Sequence, residues 1–593
     1  LEVTTLSTKP EPLSEAAAAI KIVTGDDIRR MGALNLPEAL RYVPGVEVAR
    51  VDSRQYAITA RGFNGTIANK LLVLLDGRSV YTPLFSGVFW DAQDAFLEDV
   101  DQIEIIRGPG ATVWGANAVN GVINVLSKPA RETQGLLVTG GGGNTEQGFG
   151  GIRYGASLGS NGFFRVYGKG FDRGASLLPD GREARDEFTM GQGGFRADWT
   201  PSEPMALTLQ GDLYAGSIDQ LATDDADISG GNVVARMNRR FADGSDLNLS
   251  AYYDRTNRTI PGSFEEDLDT YDVTLRHRFA PGGNSDLVWG LGYRQSFDRI
   301  RNSPAFAFLP EHLTRRVFSG FVQDEVAFAD RRFLWTLGSK VERNDYTGVA
   351  YQPSTRFAWT PKKNQTVWGA VSRALRAPSR IDHDFYAPAS PPYFLAGGPG
   401  FDSEVLRAFE LGYRVQGGRG MTASVAAFYD SYDRLRSIEA GPPVTLANGL
   451  EGNSHGLETS ASVEAREWWR LSAGYTFLEL QLEATPGSVD TTQVKQAGDS
   501  PRHQWFLRSS MALARSLALD LGVRSVHELP NQGIPTYVSC DARLGWQPSP
   551  GLDLAVVGTN LFDPRHPEFG TQPARREVER SVYGKVTWRV GAR

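Results

Sequence analysis

From Gln134 onward the chain is written with a period of two. Leu247, Leu249, Ala251 and Tyr253 interleave with Asn248, Ser250, Tyr252 and Asp254, and Tyr271, Val273 and Leu275 with Asp272, Thr274 and Arg276. The same pattern returns at 517–524 and again at 537–546. Successive side chains of a strand point to opposite faces, so each stretch carries one apolar and one polar face. Arginine and aspartate inside strands suit a wet lumen better than the dry core of a sandwich. The connections have their own rhythm. Tight turns rich in Gly, Pro, Asn and Asp lie at 159–162, 201–204, 242–246, 280–286, 329–332, 361–365, 416–420 and 548–551. Longer irregular stretches separate them at 174–189, 215–231, 295–313, 375–402, 430–453 and 478–503. Short periplasmic turns alternating with long outer loops are the construction of an outer-membrane barrel. Dividing the region into strands of the roughly 9–11 residues that cross a bilayer gives about 22 strands, a size that encloses a lumen wide enough to be plugged.

Composition narrows the alternatives. No apolar run approaches the roughly 18 residues of a membrane helix, which excludes helical membrane proteins and leaves a barrel untouched. A net charge of −7 speaks against nucleic acid as the main partner. One cysteine, Cys540, allows no disulfide within the chain and sits in the lipid-facing set of its strand. A soluble propeller or sandwich stack is the rival architecture, but no blade-length repeat is present. The N-terminus has neither a basic nor an apolar leader segment, so the chain is expected to be a mature one.

Before Gln134 the text is different. Thr24 followed three places later by Asp27 opens a short helix that Gly32 closes. Asn35 with Pro37 and Glu38 opens a second, ending at Pro44-Gly45. Buried-strand runs follow at 71–75, 103–106 and 122–126. The expected division is 1–12 as an extended arm, 13–134 as a compact α/β domain and 135–593 as the barrel.

Specific motifs then accumulate: LRYVPGV at 40–46, ARGFN at 60–64, LVLLDGR at 72–78 and LEDVDQIEIIRGPGATVWGANAVNGVINVLSK at 97–128. In the barrel region come FVQDE at 321–325, RALRAP at 373–378, ELGYR at 410–414 and NLFD at 560–563. Together and in this order they resemble the TonB-dependent outer-membrane receptors over essentially the whole length. The resemblance implies an all-β membrane protein, a 22-stranded antiparallel transmembrane barrel with an N-terminal α/β plug domain inside its lumen. It implies active import of a scarce ligand, a ferric siderophore by family frequency, with cobalamin, haem or an oligosaccharide behind it. A passive porin, an outer-membrane enzyme and a receptor for a partner protein or phage are the readings from other classes. A porin has no need of an N-terminal domain of this size, and no nucleophile–base set or metal-ligand cluster stands out, so no catalysis and no cofactor are expected. The implied setting is the outer membrane of a Gram-negative bacterium, as a monomer among outer-membrane lipid and lipopolysaccharide, without nucleic acid and without a signalling domain.

The resemblance also assigns residues. The N-terminal LEVTTLS resembles the family's TonB box; Glu2, Val3, Thr4, Thr5 and Leu6 would hang into the periplasm and add as a strand to the energy-transducing partner TonB, which β-branched, unpaired residues favour. Plug loops carrying Arg54, Gln55, Tyr81, Phe85, Phe89 and Trp90 would occupy the apex, where aromatics suit a flat or amphipathic ligand and packing against the barrel wall is the equal alternative. Arg61 of the RGF motif and Arg107 of the RGP motif would meet the barrel glutamates Glu410 and Glu458 in bidentate pairs. Strand parity agrees independently, since Phe409, Leu411 and Tyr413 claim the lipid side and turn Glu410 inward, as Leu457, Ala461 and Val463 do for Glu458. The plug holds no histidine, and His383 beside RALRAP is expected on a loop surface, which weighs against haem. The acidic loops at 219–227 and 265–267 lack the ordered spacing of a calcium loop. The end of the chain, where Trp588 is followed by five further residues, departs from the aromatic finish of the family.

Overall fold

The computed structural model describes residues 2–6, 11–220 and 223–591. Leu1 and Ser7 of the expected TonB box, Leu221 and Ala222 of one outer loop, and the last two residues lie outside them.

The N-terminal domain is built around a mixed five-stranded sheet in the order Ala19–Thr24, Val100–Arg107, Gly121–Ser127, Leu71–Leu75, Arg78–Ser79. The parallel pairing of Leu71–Leu75 with Gly121–Ser127 buries both strands on both faces, which is why they read as unbroken apolar runs. Helix Gly25–Met31 starts where Thr24 and Asp27 exchange capping hydrogen bonds and stops at Gly32 in the left-handed region. Helix Leu36–Ala39 starts on the Asn35 side chain. Ile28, Leu36, Leu40, Val73, Ile103 and Ile123 close one core beneath the helices.

Around this domain the described residues form a closed barrel of 22 antiparallel strands, with Gly135–Gly143 hydrogen-bonded to Ser581–Val590 to complete the ring. All eight expected short turns join neighbouring strands, and two more do so at 467–468 and 515–516. Trp199, Trp335, Trp359, Trp546 and Trp588 stand exposed on the outer surface within a few residues of the short-turn end. That ring of indoles marks the periplasmic membrane interface. The opposite, extracellular end is more ordered than the sequence suggests. The stretch 430–453 continues two paired strands, Thr422–Glu439 and Val444–Arg466, and 295–313 and 215–231 likewise carry strand beyond the membrane. Polar residues there obscure the alternation, but cross-strand pairing still satisfies the backbone.

Candidate functional site

Arg61, at φ 56°, is lodged between plug and wall with 3 % of its surface exposed. Its Nη2 donates to Glu410 Oε1 at 2.8 Å and its Nε to Glu458 Oε1 at 3.0 Å, while its guanidinium lies 4.2 Å over the Phe428 ring. Arg107 Nε stands 2.9 Å from Glu458 Oε2, without the N–H direction of a hydrogen bond, and Arg107 Nη1 donates to Pro44 O at 2.8 Å. The four side chains therefore converge, but not as the expected bidentate pairs: Arg61 bridges two glutamates, one nitrogen each. The motif glycines explain the close approach. A Cβ on Gly45 would sit 2.6 Å from Glu458 Oε1, and one on Gly108 2.5 Å from Glu410 Oε1, both at positive φ.

A fifth member is absent from the sequence reading. Asp430, fully buried, reaches within 4.0 Å of Arg61 Nη1. Its inward parity, shared with Phe428 and Tyr432, was the signal available. Burial by itself pulls both guanidiniums down. Arg61, ringed by Glu458, Glu410 and Asp430, ends above its ordinary value, whereas Arg107, with Glu458 on one side and the Arg61 charge on the other, ends below it. Barrel arginines complete the seam: Arg356 donates to Ala17 O and Pro109 O, and Arg414 to Ala16 O and Ala18 O.

The N-terminal segment is not free. Val3 is fully buried against Ile20, Ile22, Leu72, Leu74 and Ile106, and Glu2–Val3 pairs with Glu11–Pro12. The Thr4 and Thr5 amides both donate to the buried Glu104 carboxylate, at 3.0 and 2.8 Å, and Thr5 O accepts from Trp114 Nε1 at 2.7 Å. The expectation of an unpaired strand hanging from the plug is corrected: an apolar Val3 and the Glu104 carboxylate, which also accepts from Gln102 Nε2 at 2.8 Å, draw the segment onto the plug. Leu6 packs at the edge of the same cluster.

At the apex the named residues divide. Phe85 is buried with Leu84, Ile300 and Phe308, so it packs against the wall rather than facing an open site. Trp90 lies against the plug core. Phe89 meets Phe85 edge-on at 4.9 Å and lies 3.9 Å beneath the Arg258 guanidinium. Arg54 donates to Asp91 at 2.7 Å, and Arg258 holds the same carboxylate at 2.6 and 2.9 Å. Burial opposes the Asp91 charge, but the two guanidiniums outweigh it and hold the carboxyl at about 2. Gln55 donates its amide to Asp52 inside the loop. Tyr81 bonds Ser86 at 3.0 Å and is the one of the six that lines an internal cavity. Above them the RALRAP loop is fastened to the plug, since the amides of Arg380 and Ile381 donate to Pro83 O and Leu84 O. His383, expected on a surface, is buried, stacked 4.2 Å from Tyr346 and bonded to Phe401 O.

That cavity, with about 150 Å³ open to water, runs between the plug and strands Phe264–Gly282, Ser285–Asn302, His312–Phe328 and Phe333–Asn344. Tyr81 and Pro83 lie at its upper end and Trp114 at its lower end.

With this geometry in hand, the likenesses to known proteins are consistent. Residues 133–561 match the family "TonB dependent receptor-like, beta-barrel" and residues 12–122 the "TonB-dependent Receptor Plug Domain". The chain is 24 % identical to the iron-regulated outer membrane virulence protein of Vibrio cholerae, over 97 % of this chain and 91 % of that one. It is 27 % identical to the vitamin B12 transporter BtuB of Vibrio vulnificus over 76 % and 73 % of the two chains. In three dimensions it resembles the ferric enterobactin receptor PfeA of Pseudomonas aeruginosa, with a TM-score of 0.80 at 16 % identity, covering 97 % of this chain and 98 % of that one. The FrpB iron transporter of Neisseria meningitidis gives 0.83 at 14 %, covering 97 % of this chain and all of that one.

Proposed function

We propose that this chain, which belongs to the TonB-dependent receptors of the Gram-negative outer membrane, actively imports a ferric siderophore. Residues 1–12 act as the coupling arm, 13–134 as the plug and 135–593 as the barrel, which works as a monomer with outer-membrane lipid and lipopolysaccharide against its outward face. The carrying observation is the N-terminal segment docked on Glu104 and Trp114, at the base of a plug that is ion-paired to the wall of a closed barrel. An extended segment ending in a plug is what an energy-transducing partner needs to grip, and strand addition at Glu2, Val3, Thr4, Thr5 and Leu6 supplies the grip. The Arg61, Arg107, Glu410 and Glu458 cluster then fixes the plug's register until a pull separates it. Arg54, Gln55, Tyr81, Phe85, Phe89 and Trp90 form or support the apical surface on which cargo lands; Phe85 and Trp90 do so from beneath.

Iron is favoured as cargo by relatives whose names are those of iron-regulated or ferric-siderophore receptors. Cobalamin is the second reading, supported by the likeness to BtuB. The deciding experiment is uptake in an iron-starved host lacking its own receptors, with radiolabelled iron on a panel of siderophores and labelled cobalamin in parallel. TonB-dependent accumulation of iron from at least one siderophore is expected. Accumulation of cobalamin alone overturns the iron reading.

A further inference from the structure

The cavity beside the plug is not neutral. Arg276, Arg294, Arg315 and Lys340 all face it, against Asp254, Asp272 and Glu342. Asp254 is taken by Arg78 at 3.2 Å and Asp272 by Arg294 at 3.0 Å. Glu342 accepts from Gln352 and from the Ala116 amide. Among the described residues Arg276, Arg315 and Lys340 have no carboxylate within ion-pair distance. Arg276 has a buried Nε without an acceptor, and its guanidinium lies 5.1 Å from the Trp114 ring. Arg315 donates to the Pro83 and Pro378 carbonyls and Lys340 to that of Val113. Other wall arginines, Arg356 and Arg414, also rest on carbonyls, but they are laid directly against plug backbone, whereas these three cations share one open cavity.

Their placement is ordered. Arg276 opposes Gly290, which opposes Phe321, which opposes Lys340, so Arg276 and Lys340 lie on one cross-strand row. Arg294 opposes Asp272, four residues above that row, and Arg315 opposes Ser296, two residues above Arg294. At about 3.3 Å per residue the cations rise from the periplasmic half toward the apex in steps of roughly 13 and 7 Å. The lowest row lies against Trp114, whose indole N–H is held by Thr5 of the N-terminal segment.

We propose that this cavity is an oxyanion relay inside the lumen. Arg315, Arg294 and then the Arg276–Lys340 row receive a carboxylate or phosphate group of the cargo, and Trp114 is the floor that the N-terminal segment latches. A cavity of this volume holds a few waters and no cargo, so the relay opens only as the plug is moved. This rests on the import reading for its purpose, but the site itself is tested without transport. In a Cys540→Ala background, Ser319→Cys puts one thiol on the cavity wall. The full-length variant, with barrel folding checked by heat-modifiable gel mobility, is treated with a sulfonate-bearing and with a trimethylammonium-bearing methanethiosulfonate. The sulfonate is expected to react about tenfold faster, the gain that a focused positive field gives a small anion. Arg276→Gln and Lys340→Gln, separately and together, bring the ratio toward one, and Trp114→Phe, which keeps the ring but frees Thr5, raises the sulfonate rate. Equal rates, preference for the cation, or no reaction overturns the relay. An unchanged rate in Trp114→Phe overturns the role of the floor. A failure of siderophore uptake changes none of these readouts and bears on the import reading alone.

Discussion

The plug is held by the barrel in two unlike ways on two sides. On one, Arg61 and Arg107 meet Glu410, Glu458 and Asp430 in a dry contact so close that Gly45 and Gly108 admit no side chain. On the other, Trp114 and Tyr81 look across a wet cavity at Arg276, Arg315 and Lys340, which have no carboxylate partners there. Removing one member of a buried ion pair leaves a charge that the interior cannot solvate, so the first side resists separation. The second side carries one such pair, Arg78 of the plug with Asp254 of the wall, beside three cations that have no carboxylate to leave behind. A pull on the N-terminal segment, which is anchored at Glu104 and Trp114 on the cavity side, therefore meets its least resistance where space already exists.

The largest expected effect abolishes both sides together. Excising 13–134 should turn a closed protein into an open pore in planar bilayers, and conductance equal to that of the intact chain would show that the domain does not fill the lumen. Next comes the coupling arm. Thr4→Pro removes an amide that donates to Glu104 and that strand addition needs. Energised uptake should drop to the level of cells without TonB while ligand binding at the cell surface stays at wild-type level; if both survive, 1–7 is not the coupling segment.

The two sides are compared directly by a third pair of variants. Arg61→Ala should weaken plug docking by about 3–5 kcal/mol, read as release of the plug at lower urea with the barrel intact. Arg276→Gln gives up only a cation–π contact of about 1 kcal/mol. Equal shifts for the two would erase the distinction. The last comparison is at the apex and is read as a step in acid. The Asp91 carboxyl, at about 2 in the folded protein against an ordinary 3.8, contributes stability that is complete above about pH 4. That contribution is lost as pH falls through about 2, and Asp91→Asn should remove this step from an acid titration of plug protection against protease. A step that persists in the variant assigns it elsewhere.

Much of this was open to reading because the relevant physics is local. A period of two sorts faces without knowledge of the neighbours, so the barrel and the inward aim of Glu410 and Glu458 follow from the chain alone: Phe409 and Leu411 are 48 % and 62 % exposed on the outside, and Glu410 between them is 7 % exposed. Turns written in Gly, Pro and Asn were visible, whereas those at Glu467-Trp468 and Arg515-Ser516 were not, because they contain none of these residues. Helix caps such as Thr24 and Asn35 are likewise local. What only the tertiary structure decided is which distant groups share a space. Asp430 beside Arg61, Glu104 under Thr4 and Thr5, Phe85 under the outer loops and the Arg276–Lys340 row each join residues from 64 to nearly 370 positions apart. Charge, polarity and parity are properties of a residue and its near neighbours and can be read in one dimension. Desolvation and pairing depend on what stands opposite across the lumen, and that is set only when the barrel closes around the plug.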